Sequence, residues 1–372
     1  MTQLILKELL SDNDEGAIGG INAIMLNEIS YTEIKNKCLF IDVRSSGEFA
    51  EGAIPGAVNI PILDDEERRI VGTAYKQLSK NEARRLGVEF VSPKLLSMFD
   101  KILELKKEYP YLVVYCARGG YRSTAFASIF SAIGINLFKL ADGYKGYRKY
   151  ISEAIPEINE NVKYIVVHGN TGVGKTDILI ELKNMGYDIL DLEAAANHRG
   201  SLLGSIGIGE CNTQKSFEAN IFEQLDKIKS KYVFIEAESK KIGKVVIPDC
   251  IFSKMKSGLH IFIDADLNYR AKSLKKDYVL NENWIEESIN TIESLRRYIS
   301  NEKVDYLQSI LKQAKFEEVA KELMINYYDP MYMNKANEYE YSAKFRAEIS
   351  AVKTAEEINK WFENEISGLS NK

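Results

Sequence analysis

The segment Gly169-Asn170-Thr171-Gly172-Val173-Gly174-Lys175-Thr176 constrains this chain more than any other stretch, because it satisfies GxxxxGK[ST] throughout. The apolar run Tyr164-Ile165-Val166-Val167-His168 precedes it. A strand, a glycine-rich turn and a helix in that order aim backbone amides and a helix N-terminus at one anion. The motif predicts a parallel α/β unit that grips phosphate through Gly169, Gly172, Gly174, Lys175 and Thr176, with Thr176 able to hold Mg²⁺. It identifies a phosphate-bearing ligand and leaves kinase, ATPase and diphosphate-binding readings open. Further strands are predicted at 188–192, Tyr232–Glu236 and Leu259–Asp264. Two acidic pairs lie at strand ends, where a metal-water ligand or general base sits in this fold. Glu236 and Glu238 are the favoured pair; Asp191 and Glu193 are equally well read as a solvated terminus.

A second loop carries different chemistry. Cys116-Ala117-Arg118-Gly119-Gly120-Tyr121-Arg122-Ser123 follows the apolar run Leu112-Val113-Val114-Tyr115 and precedes a helical pattern. Glycines let amides turn inward, a helix N-terminus adds positive potential, and Arg118 and Arg122 add charge. All three favour thiolate over thiol, so Cys116 reads as a nucleophile able to carry sulfur or selenium. Lone cysteines are more often buried packing residues, but two arginines and two glycines close by argue against that here. Cys116 and Arg122 also fit C-x5-R, the phosphate cradle of tyrosine phosphatases, and the loop alone does not separate the two readings.

A chain of 372 residues predicts two domains with accessories. The expected division is an N-terminal lead-in at 1–37, a first domain at 38–151, and a linker at 152–162 marked by Pro156 and several charges. A phosphate-loop domain at 163–280 and a helical region at 281–372 complete it. In the last region Ile285, Ile289, Ile292, Leu295 and Ile299 recur at helical spacing. Cys38, Cys116, Cys211 and Cys250 are far apart and form no CxxC pair, and only 3 histidines are present. Neither a structural zinc site nor a disulfide framework is expected. The N-terminal residues lack the basic start and apolar core of a signal peptide, and no apolar run approaches the roughly 20 residues of a membrane helix. A cytoplasmic protein is expected. The net charge of -5 means that contact with a nucleic acid requires a local basic patch.

Outside its loop, the first domain resembles the rhodanese family. The stretch IDVRSSGEFAEGAIPGAVNIP, from Ile41 to Pro61, is similar to that family's DVR…EF…G-x-IPGA-x-N signature, with Ala53 where many members have histidine. The pairing of such a domain with a phosphate loop resembles one family in particular, the tRNA 2-selenouridine synthases. The similarity extends to Asp65-Glu66-Glu67-Arg68, Val71 to Lys76, Asp142 to Arg148, and Asn197-His198-Arg199-Gly200-Ser201. It also includes Gln214 to Glu218, Glu236 to Gly243, and Tyr327-Tyr328-Asp329-Pro330-Met331-Tyr332. Ala117, the lysines at 240 and 241, and Leu202-Leu203 depart from the family's usual residues.

The resemblance implies an α/β fold class: a rhodanese-like parallel-sheet domain followed by a P-loop NTPase-like parallel-sheet domain with a helical C-terminal region. It implies a transferase that replaces the sulfur of wobble 2-thiouridine in tRNA by selenium from selenophosphate, by way of S-geranylation from geranyl diphosphate. No tightly bound cofactor or protein partner is implied, and Mg²⁺ is the expected accompanying ion. Cys116 would deliver selenium, Arg118 and the loop amides would bind selenophosphate, and the phosphate loop would hold the diphosphate. Asp191, Glu193, His198 and Arg199 become candidate substrate-binding residues. This reading needs both loops to serve one substrate. For tRNA, Lys240, Lys241, Lys244, Lys254, Lys256, Arg270, Lys272, Lys275 and Lys276 form the most basic stretch. Tyr328 and Tyr332 could stack on a base, though core packing is the favoured reading. The competing classes are a rhodanese-type sulfurtransferase or C-x5-R phosphatase fused to a nucleotide-dependent kinase or ATPase, and a non-enzymatic nucleotide-regulated binding module.

Overall fold

The computed structural model describes residues 26–34, 38–201, 204, 206–279, 282–330 and 339–366. The chain divides into two compact units, Met1–Ser152 and Glu153–Lys372. The expected fold class is observed: each unit is built on its own parallel sheet of five strands.

In the first unit, β1 (Asn27–Ile29), β2 (Leu39–Asp42), β3 (Val58–Asn59), β4 (Leu112–Tyr115) and β5 (Phe138–Leu140) run in the order β1-β5-β4-β2-β3. Strands β2 and β4 are buried along their whole length, which explains their continuous apolar sequences. Residues 65–91 form two helices, α3 (Asp65–Gln77) and α4 (Lys80–Val91), after the short α1 (Tyr31–Ile34) and α2 (Ser46–Ala50). Asp64 and Glu67 form a reciprocal capping box at the start of α3, and Ser79 accepts the Glu82 amide at the start of α4. Helices α5 (Leu95–Glu108) and α6 (Tyr121–Ala132) complete the packing. The core joins Ile41, Val114, Cys116, Phe126 and Phe130.

Two expectations are corrected here. The described part of the N-terminal lead-in is structural, because Asn27–Ile29 pairs with Phe138–Leu140 and forms an edge of the sheet. The stretch 152–162 is not an irregular linker: a single helix, α7 (Gly143–Glu160), runs through it. Tyr147, Ile151 and Ile155 form its buried stripe, and the charges that suggested a linker are its exposed face. Pro156 removes one donor from the helical ladder but lies on the exposed side, where water can satisfy the Ser152 carbonyl.

In the second unit, β6 (Lys163–Gly169), β7 (Ile189–Leu190), β8 (Tyr232–Glu236), β11 (Leu259–Asp264) and β12 (Tyr341–Arg346) run in the order β12-β11-β6-β8-β7. A two-stranded hairpin, β9 (Lys241–Ile242) with β10 (Val245–Val246), stands apart from this sheet. The helices are α8 (Lys175–Asn184), α9 (Leu192–Ala196), α10 (Gln214–Leu225), α11 (Asp249–Lys256) and α12 (Leu267–Tyr278). The expected helical region appears as α13 (Trp284–Glu293), α14 (Asn301–Leu311) and α15 (Phe316–Leu323), packed on α12 around Leu295, Leu307 and Leu311.

That region is not wholly helical. Tyr341–Arg346 adds β12 to the sheet beside β11. Its half-buried Tyr341, Ala343 and Phe345 alternate with exposed Ser342, Lys344 and Arg346, the period-two pattern of an edge strand. Helix α16 (Ala351–Trp361) then packs Ala355 and Ile358 into the same core as Ile178 and Leu179 of α8. Among the described residues, no helix is long and apolar enough to cross a membrane.

Ile358 is fully buried in this cluster, so Ile358→Ala should destabilise the second unit by about 2–5 kcal/mol. Equilibrium denaturation of the full chain, followed by a probe in the second unit, measures this.

Candidate active sites: a cysteine loop and a phosphate loop

The cysteine loop leaves the C-terminal end of β4, the middle strand of its sheet, and enters α6. Cys116 is buried, and its Sγ lies 3.2 Å from the Ser123 hydroxyl. Burial alone would raise the thiol pKa. The Ser123 hydroxyl, the amides of Ser123 and Arg118, and the Arg122 charge outweigh it, so the pKa falls below the ordinary value. Arg118 is exposed beside the loop. Arg122 is engaged: its guanidinium donates to both carboxylate oxygens of Glu48, at 2.5 and 3.1 Å. It therefore acts on Cys116 through its charge, while Glu48 occupies the fork that a C-x5-R cradle would present to phosphate.

The segments on either side of this loop explain their own sequence. Gly143 has φ 56°, and a Cβ there would fall 2.2 Å from the Cys116 carbonyl oxygen, so only glycine fits. The amides of Tyr144 and Lys145 donate to the carbonyls of Cys116 and Ala117 at 2.8 and 3.0 Å. The start of α7 thus braces the loop from behind. Asp42 and Arg44 form a buried ion pair, and Arg44 also donates to the Gly52 carbonyl and lies over the Tyr144 ring. The DVR signature therefore supports the scaffold of the loop and does not line it.

The phosphate loop leaves β6, the middle strand of the second sheet, and enters α8. Gly172 has φ 84°, and a Cβ there would lie 2.7 Å from the Arg270 carbonyl oxygen. Gly174 also has positive φ, at 80°. Lys175 Nζ donates to the Gly169 carbonyl at 3.2 Å. Buried Arg270 donates from Nε to the Thr171 carbonyl at 2.8 Å and from its two terminal nitrogens to Asp329 at 2.9 and 2.6 Å. Arg270 is therefore a brace of the loop and is removed from the basic patch expected to meet RNA. Lys254 is removed as well, because its ammonium donates to the carbonyls of Asn159, Glu160 and Val162. Lys240 pairs with Asp249 and Lys275 with Glu317. Lys241, Lys244, Lys256, Lys272 and Lys276 remain exposed, with Lys256 lying over the Phe252 ring.

A cavity of 150 Å³ opens on this loop, lined by Gly172, Gly174, Lys175 and Thr176 together with Glu193, Arg199 and Glu238. Thr176 donates to Glu236 Oε1 at 2.6 Å, and Glu193 Oε2 lies 3.2 Å from the same hydroxyl oxygen. One hydroxyl proton serves one carboxylate, so both contacts are favourable when Glu193 carries a proton. Burial, and next the charge of Glu238, push Glu193 up to about 8. Glu236 is wholly buried, and burial with the charge of Glu193 drives its pKa well above the usual range. Its Oε2 has no hydrogen-bond partner among the described residues, the signature of a carboxyl awaiting a cation or proton. No group of three or more acidic, histidine or cysteine ligands among the described residues could hold a metal by itself. A divalent ion here would need phosphate oxygens to complete its shell.

Asp191 does not line the cavity. Its side chain accepts the Ala194 amide at 2.8 Å and caps α9. His198 also lies off the cavity, against Gly243 and Gly204, with no hydrogen-bond partner for its buried Nδ1 among the described residues and its pKa lowered first by burial and then by the charge of Arg199. Arg199 lines the cavity, donates to the Ile206 carbonyl at 2.7 Å and lies 4.8 Å from the Tyr278 ring centre. Ser123, Glu48, Asp277 and Tyr278 were not among the sequence-derived candidates. Burial, with the Asp177 charge, pushes Asp277 up to about 6 beside the phosphate loop. Buried Tyr328 packs in the helical cluster, whereas Leu202, Leu203, Met331 and Tyr332 lie outside the described residues.

Ser123→Ala should raise the Cys116 pKa, read as a shift of iodoacetamide alkylation to higher pH. The carboxyl cluster predicts a separate effect on stability. A folded pKa raised above the ordinary 4.5 means that the native chain holds a proton which the unfolded chain has lost. Stability is complete below about 4.5 and declines as pH rises toward about 8. Without ligand, thermal unfolding of the second unit should therefore fall in temperature across this window, and Glu193→Gln should flatten the decline.

The family model for the tRNA 2-selenouridine synthase AAA domain matches residues 162–365, and that for the rhodanese-like domain matches residues 29–150. A protein from Nitrosomonas eutropha named tRNA 2-selenouridine synthase is 37% identical over 245 residues, covering 64% of this chain and 63% of that protein. One of the same name from Bdellovibrio bacteriovorus is 37% identical over 249 residues, covering 65% and 64%. Both alignments span somewhat less than two thirds of the relatives' length. A third, from Psychromonas ingrahamii, is 30% identical over 345 residues and covers 85% of this chain and 93% of that protein. With the domain match extending over more than half of its residues and a relative aligned along nearly its whole length, the chain belongs to the tRNA 2-selenouridine synthase family.

Proposed function

We propose that the chain modifies tRNA, replacing the sulfur of wobble 2-thiouridine by selenium in two steps. The observation that supports this reading best is the lowered pKa of Cys116 in an amide-rich loop, in a chain that also carries a complete phosphate loop. In the first step the thiouridine sulfur attacks the first carbon of geranyl diphosphate, a carbon–oxygen bond breaks, and diphosphate departs. Lys175 and the amides around Gly172 and Gly174 hold the diphosphate and stabilise the charge that it gains. Alkylation makes the sulfur a better leaving group. In the second step the selenium of selenophosphate adds to the ring carbon, the carbon–sulfur bond breaks and geranylthiol leaves, and water then cleaves the selenium–phosphorus bond and releases phosphate. Cys116 delivers the selenium by orienting the donor without bonding to it, with Arg118 and the loop amides gripping the anion.

Mg²⁺ fits the second unit, because Thr176 and the unpartnered oxygen of Glu236 offer oxygen ligands beside the place for the diphosphate. When bound, the ion would neutralise charge on the departing diphosphate. Arg199, which also lines the cavity, is a further contact for that anion. The tRNA backbone is assigned to the exposed Lys241, Lys244, Lys256, Lys272 and Lys276. A cytoplasmic location fits a tRNA substrate. The phosphatase alternative is weakened by the pairing of Arg122 with Glu48.

Nucleoside mass spectrometry of tRNA from cells expressing each variant tests the assignment. Cys116→Ala should leave S-geranyl-2-thiouridine accumulating without selenouridine, and Lys175→Ala should abolish both products. Selenation untouched by Cys116→Ala would refute the role given to that thiol.

A further inference from the structure

A groove in the first unit is not used by either reaction step described above. It is a groove of 350 Å³ formed where α3 and α4 fold over α6. Ile62 and Leu63 form its buried floor, Val71 and Tyr75 come from α3, and Val88 and Val91 come from α4. Its remaining wall is the face of α6 that carries Ala125 and Ile129. Val88, Tyr75 and Tyr121 are 69%, 49% and 70% exposed, a concentration of open apolar surface along one groove. The ionic side chains that line it, Lys80, Arg84 and Arg122, are all basic.

Three features of the groove identify its occupant. Its size is the first. A dry cavity of about 150 Å³ takes one benzene ring, so 350 Å³ suits on the order of ten to fourteen carbons. Charge is the second: an apolar trough with basic side chains and no acidic one suits an apolar chain attached to a polyanion. Position is the third. Helix α6 begins at Tyr121, inside the cysteine loop, so Tyr121 and Arg122 belong to the groove while Ser123, the next residue, touches the Cys116 sulfur.

We infer that this groove binds the isoprenoid tail of the S-alkylated nucleoside while it is still part of tRNA, and so presents the base to Cys116. The inference rests on the two-step reading above and deepens it by giving the alkyl group a second purpose. The tail makes the sulfur a better leaving group from the ring carbon, and it is also the handle by which the cysteine unit distinguishes alkylated tRNA from unmodified tRNA. The step requires no new reactant, because the tail departs with the sulfur as geranylthiol. The α3–α4 helix pair then has a function that the cysteine loop alone does not require.

The test uses the full chain and two short RNAs of one sequence, one with 2-thiouridine and the other with S-geranyl-2-thiouridine, with affinity read by calorimetry. The wild-type chain should bind the geranylated RNA at least about tenfold more tightly, given the apolar area of the tail. Val88→Asp should remove the preference and leave affinity for the 2-thiouridine RNA within about twofold, since Val88 is 69% exposed and its replacement does not disturb the core. Val88→Ile should retain the preference. Equal affinity of the wild-type chain for the two RNAs, or a preference untouched by both Val88→Asp and Tyr75→Ala, overturns the proposal. Sedimentation at the same concentrations reads the competing occupant. A dimer that Val88→Asp dissociates, with no preference for the tail, would assign the groove to self-association instead. Binding is measured without turnover, so failure of selenation alone would refute the two-step reaction and leave the tail site standing.

Discussion

Both reactive loops depend on the same constraint, the parallel sheet. Parallel strands deliver successive loops to one end, where each strand gives way to the N-terminus of a helix. Strand β4 is the third of five in its sheet and β6 is the third of five in the other, so each loop emerges from the most enclosed strand. Flanking strands on both sides fix the backbone, and the unsatisfied amides of the helix start face a single point. The same local geometry lowers a thiol pKa in one unit and prepares a phosphate cradle in the other. The difference lies in a few side chains: a cysteine with a serine beside it, or a lysine followed by a threonine.

Support behind each loop comes from ionic and backbone contacts that do not face a ligand. Arg44 with Asp42 and Arg270 with Asp329 are buried or nearly buried pairs, and each arginine spends a further donor on a backbone carbonyl. Such pairs contribute little net stability, since desolvation offsets their attraction. Their value is positional, because a planar guanidinium bonded to a carboxylate and a backbone carbonyl holds a turn in one geometry. This accounts for two segments that stood out in the sequence without evident chemistry, the DVR stretch and the tyrosine-rich segment containing Asp329.

The sequence was legible where the chemistry is contiguous. The phosphate loop and the cysteine loop each lie within eight residues, and their flanking strands are continuous apolar runs. Elements that depend on distant partners were harder to read. Strand β1 has three residues and no buried one, and acquires its identity only by pairing with β5. The α7 helix was hidden by Pro156 and by charges that prove to be one face of an amphipathic stripe. Ser123 sits in the cysteine loop itself, yet its contact with Cys116 appears only once α6 has turned. Arg270 looked like part of a basic surface because its partner, Asp329, lies 59 positions away. Strand β12 was missed although its alternation is plain, because the helical periodicity on either side dominated the reading.

The position of β12 bears on how the chain is made. The second sheet begins with β6 at Lys163 and is completed only by Tyr341–Arg346, far along the chain. A ribosome would therefore release the strand that flanks β11, and the α16 helix that covers α8, well after the other strands of that sheet. The described strands of the first unit are all encoded before residue 141 and can assemble much earlier. Until Tyr341–Trp361 emerges, the nascent second unit carries the open edge of β11 and the uncovered apolar face of α8, a state in which pairing with a foreign strand competes with folding. Such a long sequence separation slows closure of the sheet.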